Sequence, residues 1–240
     1  MDKDLYNHPW KHVIIDDFFP KKLFLEIKDN SEKIRELSKK YFDPKCQTRA
    51  AVYSSFSGTE QDEMFVKERL KTMPEYLLFG DNYSMLKLDL LPEFQNGFSD
   101  SDIKDIRWFW ELLKKIHSHM EERIYDFLEL LLELSPNSDL PTEFHTAFQL
   151  QQAGFRYQNH DESYLKLLSV IIFIDPEHNY GTWLYDTQRQ NYDSPTKKIE
   201  WKPNRAFIFS GVKGKTWHSF SADPSEKSRI GVGFFLKKHA

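Results

Sequence analysis

The spacing of hydrophobic residues changes near residue 140 and divides the chain into two halves with different predicted structure. Upstream, apolar residues recur at three- and four-residue intervals among Lys and Glu, which is the spacing of amphipathic helices. One such helix is predicted over about residues 21–41, with an apolar face formed by Leu23, Ile27, Ile34 and Leu37. Before it, residues 12–15 form a short β-prone run.

A second helical region covers residues 102–134, which contain no Gly or Pro. Its apolar residues fall on one broad stripe, and the segment ends shortly before Pro136. We interpret the region as one long helix, or as two abutting helices, whose apolar stripe packs against a sheet.

Downstream of residue 140, short β-prone runs are separated by turn residues such as Gly154, Pro176 and Gly214. This pattern predicts a β-sandwich or a β-barrel. The run at 167–174 is nearly apolar on both faces, as expected for a central strand that is covered on both sides. The predicted strands are 144–152, 155–159, 167–174, 182–185, 206–210, 216–220 and 230–236.

These patterns together predict an α+β fold with a jelly-roll core in residues 141–240. The N-terminal helices are expected to pack on the outside of one of its sheets, so that residues 1–240 form a single domain. Residues 1–140 are then mainly helical support. Within them, the aromatic-rich segment 40–140 is expected to supply a lid over the pocket.

Composition and charge narrow the possible partners and the cellular location. A net charge of −4 over 240 residues gives no electrostatic reason to expect nucleic acid or an anionic membrane as partner. A single cysteine, Cys46, excludes an intramolecular disulfide and a cysteine-based zinc site. The N-terminus lacks the apolar stretch of a signal peptide, and no apolar run is long enough to span a membrane. We therefore expect a cytoplasmic protein.

The candidate chemistry lies in a His-Asp-Glu stretch and in a second histidine further along the chain. His160 and Glu162 are two residues apart, so they project from the same face of a strand, whereas Asp161 does not. His218 lies beside a later β-prone run. Two histidines and one carboxylate from neighbouring strands can bind one face of an octahedral iron and leave the other face open.

A buried cation is predicted close to these residues. Arg229 follows His218 by eleven residues and begins the last apolar strand. A guanidinium that enters a buried strand requires an anion, because its burial without compensation costs too much free energy. A carboxylate that binds it in a bidentate manner meets that requirement.

Five stretches in the C-terminal half occur in an order that resembles a known family. They are residues 157–168, 181–186, 202–209 and 217–218, and Arg229. The segment from Phe144 to Leu236 resembles the double-stranded β-helix core of the Fe(II)/2-oxoglutarate-dependent dioxygenases. It is most similar to the prolyl-4-hydroxylase-like branch, including uncharacterised phage and marine bacterial members. Residues 13–20 resemble the opening strand and helix of that branch, and residues 40–140 resemble it only weakly.

The resemblance implies a hydroxylase that uses Fe(II), 2-oxoglutarate and O2 and releases succinate and CO2. His160, Glu162 and His218 would hold the iron, and the far carboxylate of 2-oxoglutarate would pair with Arg229. Tyr157 would contribute to the pocket if the strand is bulged, and Gln149 and Gln151 could contact the cosubstrate. The substrate would be a small molecule, a glycan or a protein side chain. The sequence does not predict the oligomeric state.

Two residues depart from the family pattern, and two other functions stay open. The family usually has Asp where this chain has Glu162, and often Ser or Thr where it has Gly231. These two residues are the only features in favour of one alternative, a metal-free binding module that keeps the sandwich fold. The other alternative is a cupin-like enzyme that is not an oxygenase, such as a sugar isomerase, and the position of Arg229 argues against it.

Overall fold

Eleven strands and four helices form the described part of the protein in the computed structural model. The structure describes residues 3–41, 83–86, 100–132, 142–151, 153–161, 166–188, 190–191, 193–212 and 214–238. The helices are α1 (Lys21–Asp29), α2 (Ser31–Tyr41), α3 (Asp100–Glu121) and α4 (Ile124–Leu132). The strands are β1 (Lys3–Tyr6), β2 (His12–Ile15), β3 (Tyr83–Leu86), β4 (Thr142–Gln151), β5 (Arg156–His160), β6 (Lys166–Asp175), β7 (Thr182–Leu184), β8 (Lys197–Ile199), β9 (Ala206–Ser210), β10 (His218–Ser221) and β11 (Arg229–Lys238).

The strands form two antiparallel sheets. The large sheet has the order β1-β2-β9-β6-β11-β4-β3, and the small sheet has the order β5-β10-β7-β8. From β4 onwards the chain passes repeatedly between the sheets, with β4, β6, β9 and β11 in the large sheet and β5, β7, β8 and β10 in the small one. Residues that are distant in sequence therefore meet on neighbouring strands.

The outer face of the large sheet is buried under the helices. Alternate residues of β6 point to this face, and Leu168, Val170 and Ile172 are fully buried there. They belong to one hydrophobic core with helix residues that include Ile27, Phe109, Leu113, Ile116 and Phe127. The helices thus cover one face of the sheet and leave the other face to the small sheet.

The space between the two sheets has a smaller, mainly aromatic core. Phe173, Phe207 and Phe209 of the large sheet pack there with Leu184 and Ile199 of the small sheet. The backbone at Gly181, just before β7, lies so close to β8 that a Cβ at that position would be 1.8 Å from the carbonyl oxygen of Ile199. The candidate functional residues that the structure describes lie in this layer between the sheets.

The helix predicted over residues 21–41 is divided in two. Asn30 ends α1, since its backbone N–H donates to the carbonyl of Ile27 and its side chain donates to the carbonyl of Glu26. The helical region at 102–134 is also divided, at residues 122–123, between α3 and α4. Among the described helices, none is long and apolar enough to cross a membrane.

The strand predictions hold for the long apolar runs, and β6 lies between β9 and β11 in the large sheet. Three short strands, β1, β3 and β8, were not predicted from the sequence. The segments KDLY of β1 and KKI of β8 contain no apolar run, and β3 lies in the segment 40–140, whose pattern is ambiguous. Most of the segment 40–140, for which a lid is predicted, lies outside the described residues.

Candidate metal and anion site

The structure brings His160 and His218 together on adjacent strands of the small sheet. They are direct register partners of β5 and β10, and their ring centroids lie 4.2 Å apart with the planes inclined by 50°. Imidazole nitrogens bind divalent metals at about 2.1 Å, so two rings on adjacent metal positions have centroids roughly 4–5 Å apart. The spacing of this pair therefore fits two ligands of one ion.

The orientation of the His218 ring is set by the backbone just before β10. Its Nδ1 lies 2.9 Å from the carbonyl oxygen of Thr216, and a carbonyl can only accept, so Nδ1 carries the proton. Nε2 is then the nitrogen with the lone pair, as a metal ligand requires. The side chain is 5% exposed and meets the edge of Phe209, which extends from the large sheet, at 4.9 Å between centroids.

A bulge in β5 places Tyr157 beside His160. Along β10, His218 and Phe220 are two residues apart, but their partners His160 and Tyr157 are three apart, so β5 contains one extra residue. The Tyr157 ring meets His160 edge-on at 4.5 Å and stacks on Phe220 at 5.1 Å. In a regular strand, residues three apart would point to opposite faces.

Arg229 lies deeper between the sheets and is 2% exposed. Its Nη1 donates to the carbonyl oxygens of Tyr180 and Ser221, both at 2.9 Å. The rings of Trp201, Phe220 and Phe173 lie 4.7, 5.4 and 5.8 Å from the guanidinium carbon. A cation at this depth among aromatic rings favours an anionic ligand.

Phe220 connects the cation to the histidine pair. Its ring lies 5.4 Å from the guanidinium carbon of Arg229 and 6.4 Å from the ring of His160. All of these side chains point into the same layer between the sheets. The histidine pair and the buried cation therefore lie about one aromatic ring apart, as the two ends of a small dianion would require.

Next to Arg229 on β11, Gly231 leaves space that no described side chain fills. A Cβ at this position would lie 3.2 Å from the carbonyl oxygen of Ile172, and outside residues 230–232 no other atom of the described residues lies within 4 Å of it. By contrast, the space over Gly233 is filled, because the Phe235 ring and the amide nitrogen of Gln149 come within 2.8 Å of its Cβ position. Gln149 thus points into the layer between the sheets. Its register partner is Gly231, which lies two residues after Arg229 on β11.

The carboxylate ligand predicted at Glu162 lies outside the described residues. Its neighbour Asp161 is described, and the Asp161 carboxylate accepts a hydrogen bond of 2.8 Å from the backbone N–H of Gly214, in the loop before β10. Among the described residues, no group of three or more His, Cys, Asp or Glu side chains is placed to hold a metal. The described part of the site therefore supplies two imidazoles.

Sequence reasoning did not single out His12, which lies close to this site. His12 of β2 is the register partner of Phe209, and it is fully buried. Its Nδ1 lies 2.7 Å from the carbonyl of Trp10, and desolvation by burial lowers its pKa to about 4. The β-prone run at 12–15 predicts its strand, but only the pairing of β2 with β9 places His12 against Phe207. Phe207 stacks on Phe209, which is the ring that meets His218.

Comparison with known proteins finds similarity only among solved structures. No protein-family model and no curated protein matches the chain. A prolyl-4-hydroxylase from Pseudomonas putida is 14% identical, with 54% of this chain and 68% of that chain covered and a TM-score of 0.40. The viral collagen prolyl hydroxylase of Paramecium Bursaria Chlorella virus-1 is 10% identical, with coverages of 74% and 89% and a TM-score of 0.40.

A third similar structure is the Trichoplax adhaerens prolyl hydroxylase in complex with a peptide fragment of the hypoxia inducible factor oxygen degradation domain. It is 11% identical, with 94% of this chain and 82% of that chain covered and a TM-score of 0.45. At these identities and scores, the similarities do not show that the chain belongs to the prolyl hydroxylases.

Proposed function

We propose that the chain is an Fe(II)- and 2-oxoglutarate-dependent dioxygenase that hydroxylates a substrate and releases succinate and CO2. The observation that carries the proposal is the histidine pair, His160 and His218, which shares the layer between the sheets with the buried Arg229. A metal-binding pair and an anion-binding group at this separation fit a ligand that has one end on the metal and a carboxylate at the other end.

The order of the strands supports a double-stranded β-helix, or jelly roll, as the core. Four strands, β4-β11-β6-β9, face β5-β10-β7-β8, and from β4 to β11 the chain winds through both sheets. A jelly roll has two such four-stranded antiparallel sheets. In this proposal residues 1–240 form one domain, in which residues 1–140 support the core and supply the lid.

His160, His218 and Glu162 would hold the iron. When bound, iron together with 2-oxoglutarate and O2 supplies the oxidising chemistry that inserts a hydroxyl group into a C–H bond. The hydrogen bond from His218 Nδ1 to the carbonyl of Thr216 selects the tautomer of the neutral ring in which Nε2 has the lone pair, and it fixes the ring plane. Tyr157 limits the rotation of the His160 ring by its edge-on contact.

Arg229 would bind the far carboxylate of 2-oxoglutarate, and Phe173, Trp201 and Phe220 exclude water from this interaction. A charge-assisted pair is stronger in such an environment than in water. Gln149 remains a candidate for contact with the middle of the cosubstrate. The substrate to be hydroxylated would be a small molecule, a glycan or a protein side chain.

Anaerobic titration of the purified chain with Fe(II) and 2-oxoglutarate tests the proposal without knowledge of the substrate. Chelation of Fe(II) by a 2-oxo acid produces a visible absorption band, and we expect this band only when both are present. Succinate should then form on addition of O2. Metal binding without the band would indicate a metalloenzyme that is not an oxygenase, and the absence of metal binding would indicate a binding module.

A matched pair of variants tests which carboxylate binds the metal. Glu162→Gln should lose Fe(II) binding, whereas Asp161→Asn should keep it within about two-fold, because the Asp161 carboxylate is engaged by Gly214. His218→Ala should also lose Fe(II) binding. If His218→Ala bound Fe(II) and converted 2-oxoglutarate as the unmodified chain does, the ligand assignment would be wrong.

A further inference from the structure

The side chain of Gln151, at the end of β4, is buried without hydrogen bonds. It is 1% exposed, and neither its amide nitrogen nor its amide oxygen has a hydrogen-bond partner among the described residues. A buried polar atom that lacks a partner costs on the order of 1–3 kcal/mol, and Gln151 has two. Native proteins retain few such groups, so each one calls for an explanation.

The position of Gln151 indicates what the missing partner is. Gln151 is the register partner of Arg229, and directly paired residues of an antiparallel sheet share a face. The adjacent space over Gly231 is not filled by any described side chain. An amide with donor hydrogens thus lies beside a buried cation and next to open space, where a carboxylate could accept from both groups.

We propose that Gln151 is a second binding residue for the carboxylate that Arg229 attracts. The inference rests on the proposed function and extends it to the choice of cosubstrate. The amide –NH2 of Gln151 donates to one carboxylate oxygen from the β4 side, while the guanidinium of Arg229 donates from β11. The hydrogen bond that Gly231 cannot provide therefore comes from the neighbouring strand, and the missing side chain leaves room for the ligand.

This arrangement makes the site selective for 2-oxo acids that carry a second carboxylate. 2-Oxobutanoate has the same metal-chelating end as 2-oxoglutarate but no far carboxylate, so it cannot use Gln151 or Arg229. A hydrogen bond to a charged group contributes about 1.5–3 kcal/mol, and each 1.4 kcal/mol is a ten-fold change in affinity. Loss of the Gln151 amide should therefore lower the affinity for 2-oxoglutarate at least about ten-fold and leave the affinity for 2-oxobutanoate unchanged.

The test compares Gln151→Met with the unmodified chain in ligand affinity and in stability. Affinity for 2-oxoglutarate and 2-oxobutanoate is measured anaerobically by the visible band of the Fe(II)-loaded chain. Stability is measured by urea unfolding of the metal-free chain. We expect the variant to be as stable as the unmodified chain or more so, because an apolar side chain of similar volume replaces a buried amide that has no partner.

Two further variants make the result decisive. Leu150→Met changes the neighbouring residue on the opposite, helix-covered face of β4 and should leave both affinities unchanged. Gln151→Glu places a carboxylate beside the bound anion and should weaken 2-oxoglutarate more than Gln151→Met does. It also gives an independent result if Gln151→Met does not fold.

The outcomes separate the inference from the proposed function. If the unmodified chain shows no band with Fe(II) and 2-oxoglutarate, the proposed function fails, and the inference fails with it. If the unmodified chain binds 2-oxoglutarate and Gln151→Met binds it equally well, only the inference fails. If Gln151→Met is less stable and loses affinity for both 2-oxo acids equally, Gln151 has a structural role, and the inference is again wrong.

Discussion

Replacement of Arg35 by Met should destabilise the protein and loosen the strand that carries Arg229. Arg35 belongs to α2 and is 6% exposed. Its Nη2 pairs with the carboxylate of Asp175, at the end of β6, and its Nε and Nη2 donate to the carbonyl of Ser228 at 3.1 and 2.8 Å. Ser228 directly precedes Arg229, so Arg35 fixes the point at which β11 begins.

The expected loss follows from what Arg35→Met leaves behind. The side chain of Asp175 is 10% exposed, so the variant retains a buried carboxylate without its guanidinium, which typically costs 3–5 kcal/mol. Lys227 lies 3.5 Å from the same carboxylate and offsets part of this cost. We therefore expect the free energy of unfolding to fall by about 3 kcal/mol, near the lower end of that range.

The assay is urea unfolding at pH 7. The change in the free energy of unfolding is calculated from the shift of the urea midpoint, provided that the dependence of the free energy on urea concentration is the same for both chains. Adding Asp175→Asn to Arg35→Met should recover about 1–2 kcal/mol, because the isolated buried charge is removed. Lys227→Met is the matched control. It removes a cation that is 49% exposed from the same cluster and should cost less than about 1 kcal/mol.

The reasoning would be refuted if Arg35→Met cost less than about 1 kcal/mol, or if Asp175→Asn made the double variant no more stable than Arg35→Met alone. Under the proposed function, Arg35→Met should also weaken 2-oxoglutarate binding through the displaced Arg229. Fe(II) binding by the histidine pair, which belongs to the other sheet, should change little.

Three further predictions test other parts of the fold and site. The pKa of His12 is lowered from 6.5 to about 4, so between these pH values the imidazole is protonated in the unfolded chain and neutral in the folded chain. The free energy of unfolding therefore falls by about 3 kcal/mol as the pH decreases from 6.5 to 4. In urea unfolding, the stability difference between the unmodified chain and His12→Gln should shrink by that amount on acidification, and an unchanged difference would contradict the lowered pKa. Gly181→Ala should lower the free energy of unfolding by at least about 3 kcal/mol in urea, because its Cβ would overlap the backbone of β8. A smaller loss would show that the backbone can shift at this position. Gly231→Ala places its Cβ 3.2 Å from the backbone carbonyl oxygen of Ile172, which is a tight contact, and should lower the free energy of unfolding by about 1 kcal/mol. The variant should also weaken 2-oxoglutarate binding in the anaerobic titration, and full affinity would mean that the ligand does not lie over Gly231.

Local patterns in the sequence predicted most of the long elements and selected candidate residues, whose roles stay predictions. The period of the apolar residues identified α3, α4 and the long strands, because burial of one face imposes that period on a helix or a strand. The order of His160, His218 and Arg229 predicted a shared site, and the structure places all three between the sheets. The role of Glu162 as a ligand stays a prediction.

Tertiary structure decided what depends on pairing between distant segments. The bulge that turns Tyr157 toward His160 exists only in the register of β5 with β10, and a single-strand pattern cannot reveal it. The pairing of Gln151 with Arg229 joins residues 78 positions apart, and the contact of Arg35 with Ser228 joins residues 193 positions apart. Periodicity reflects which side of an element is buried, whereas the partner across the sheet is set by the packing of the whole chain.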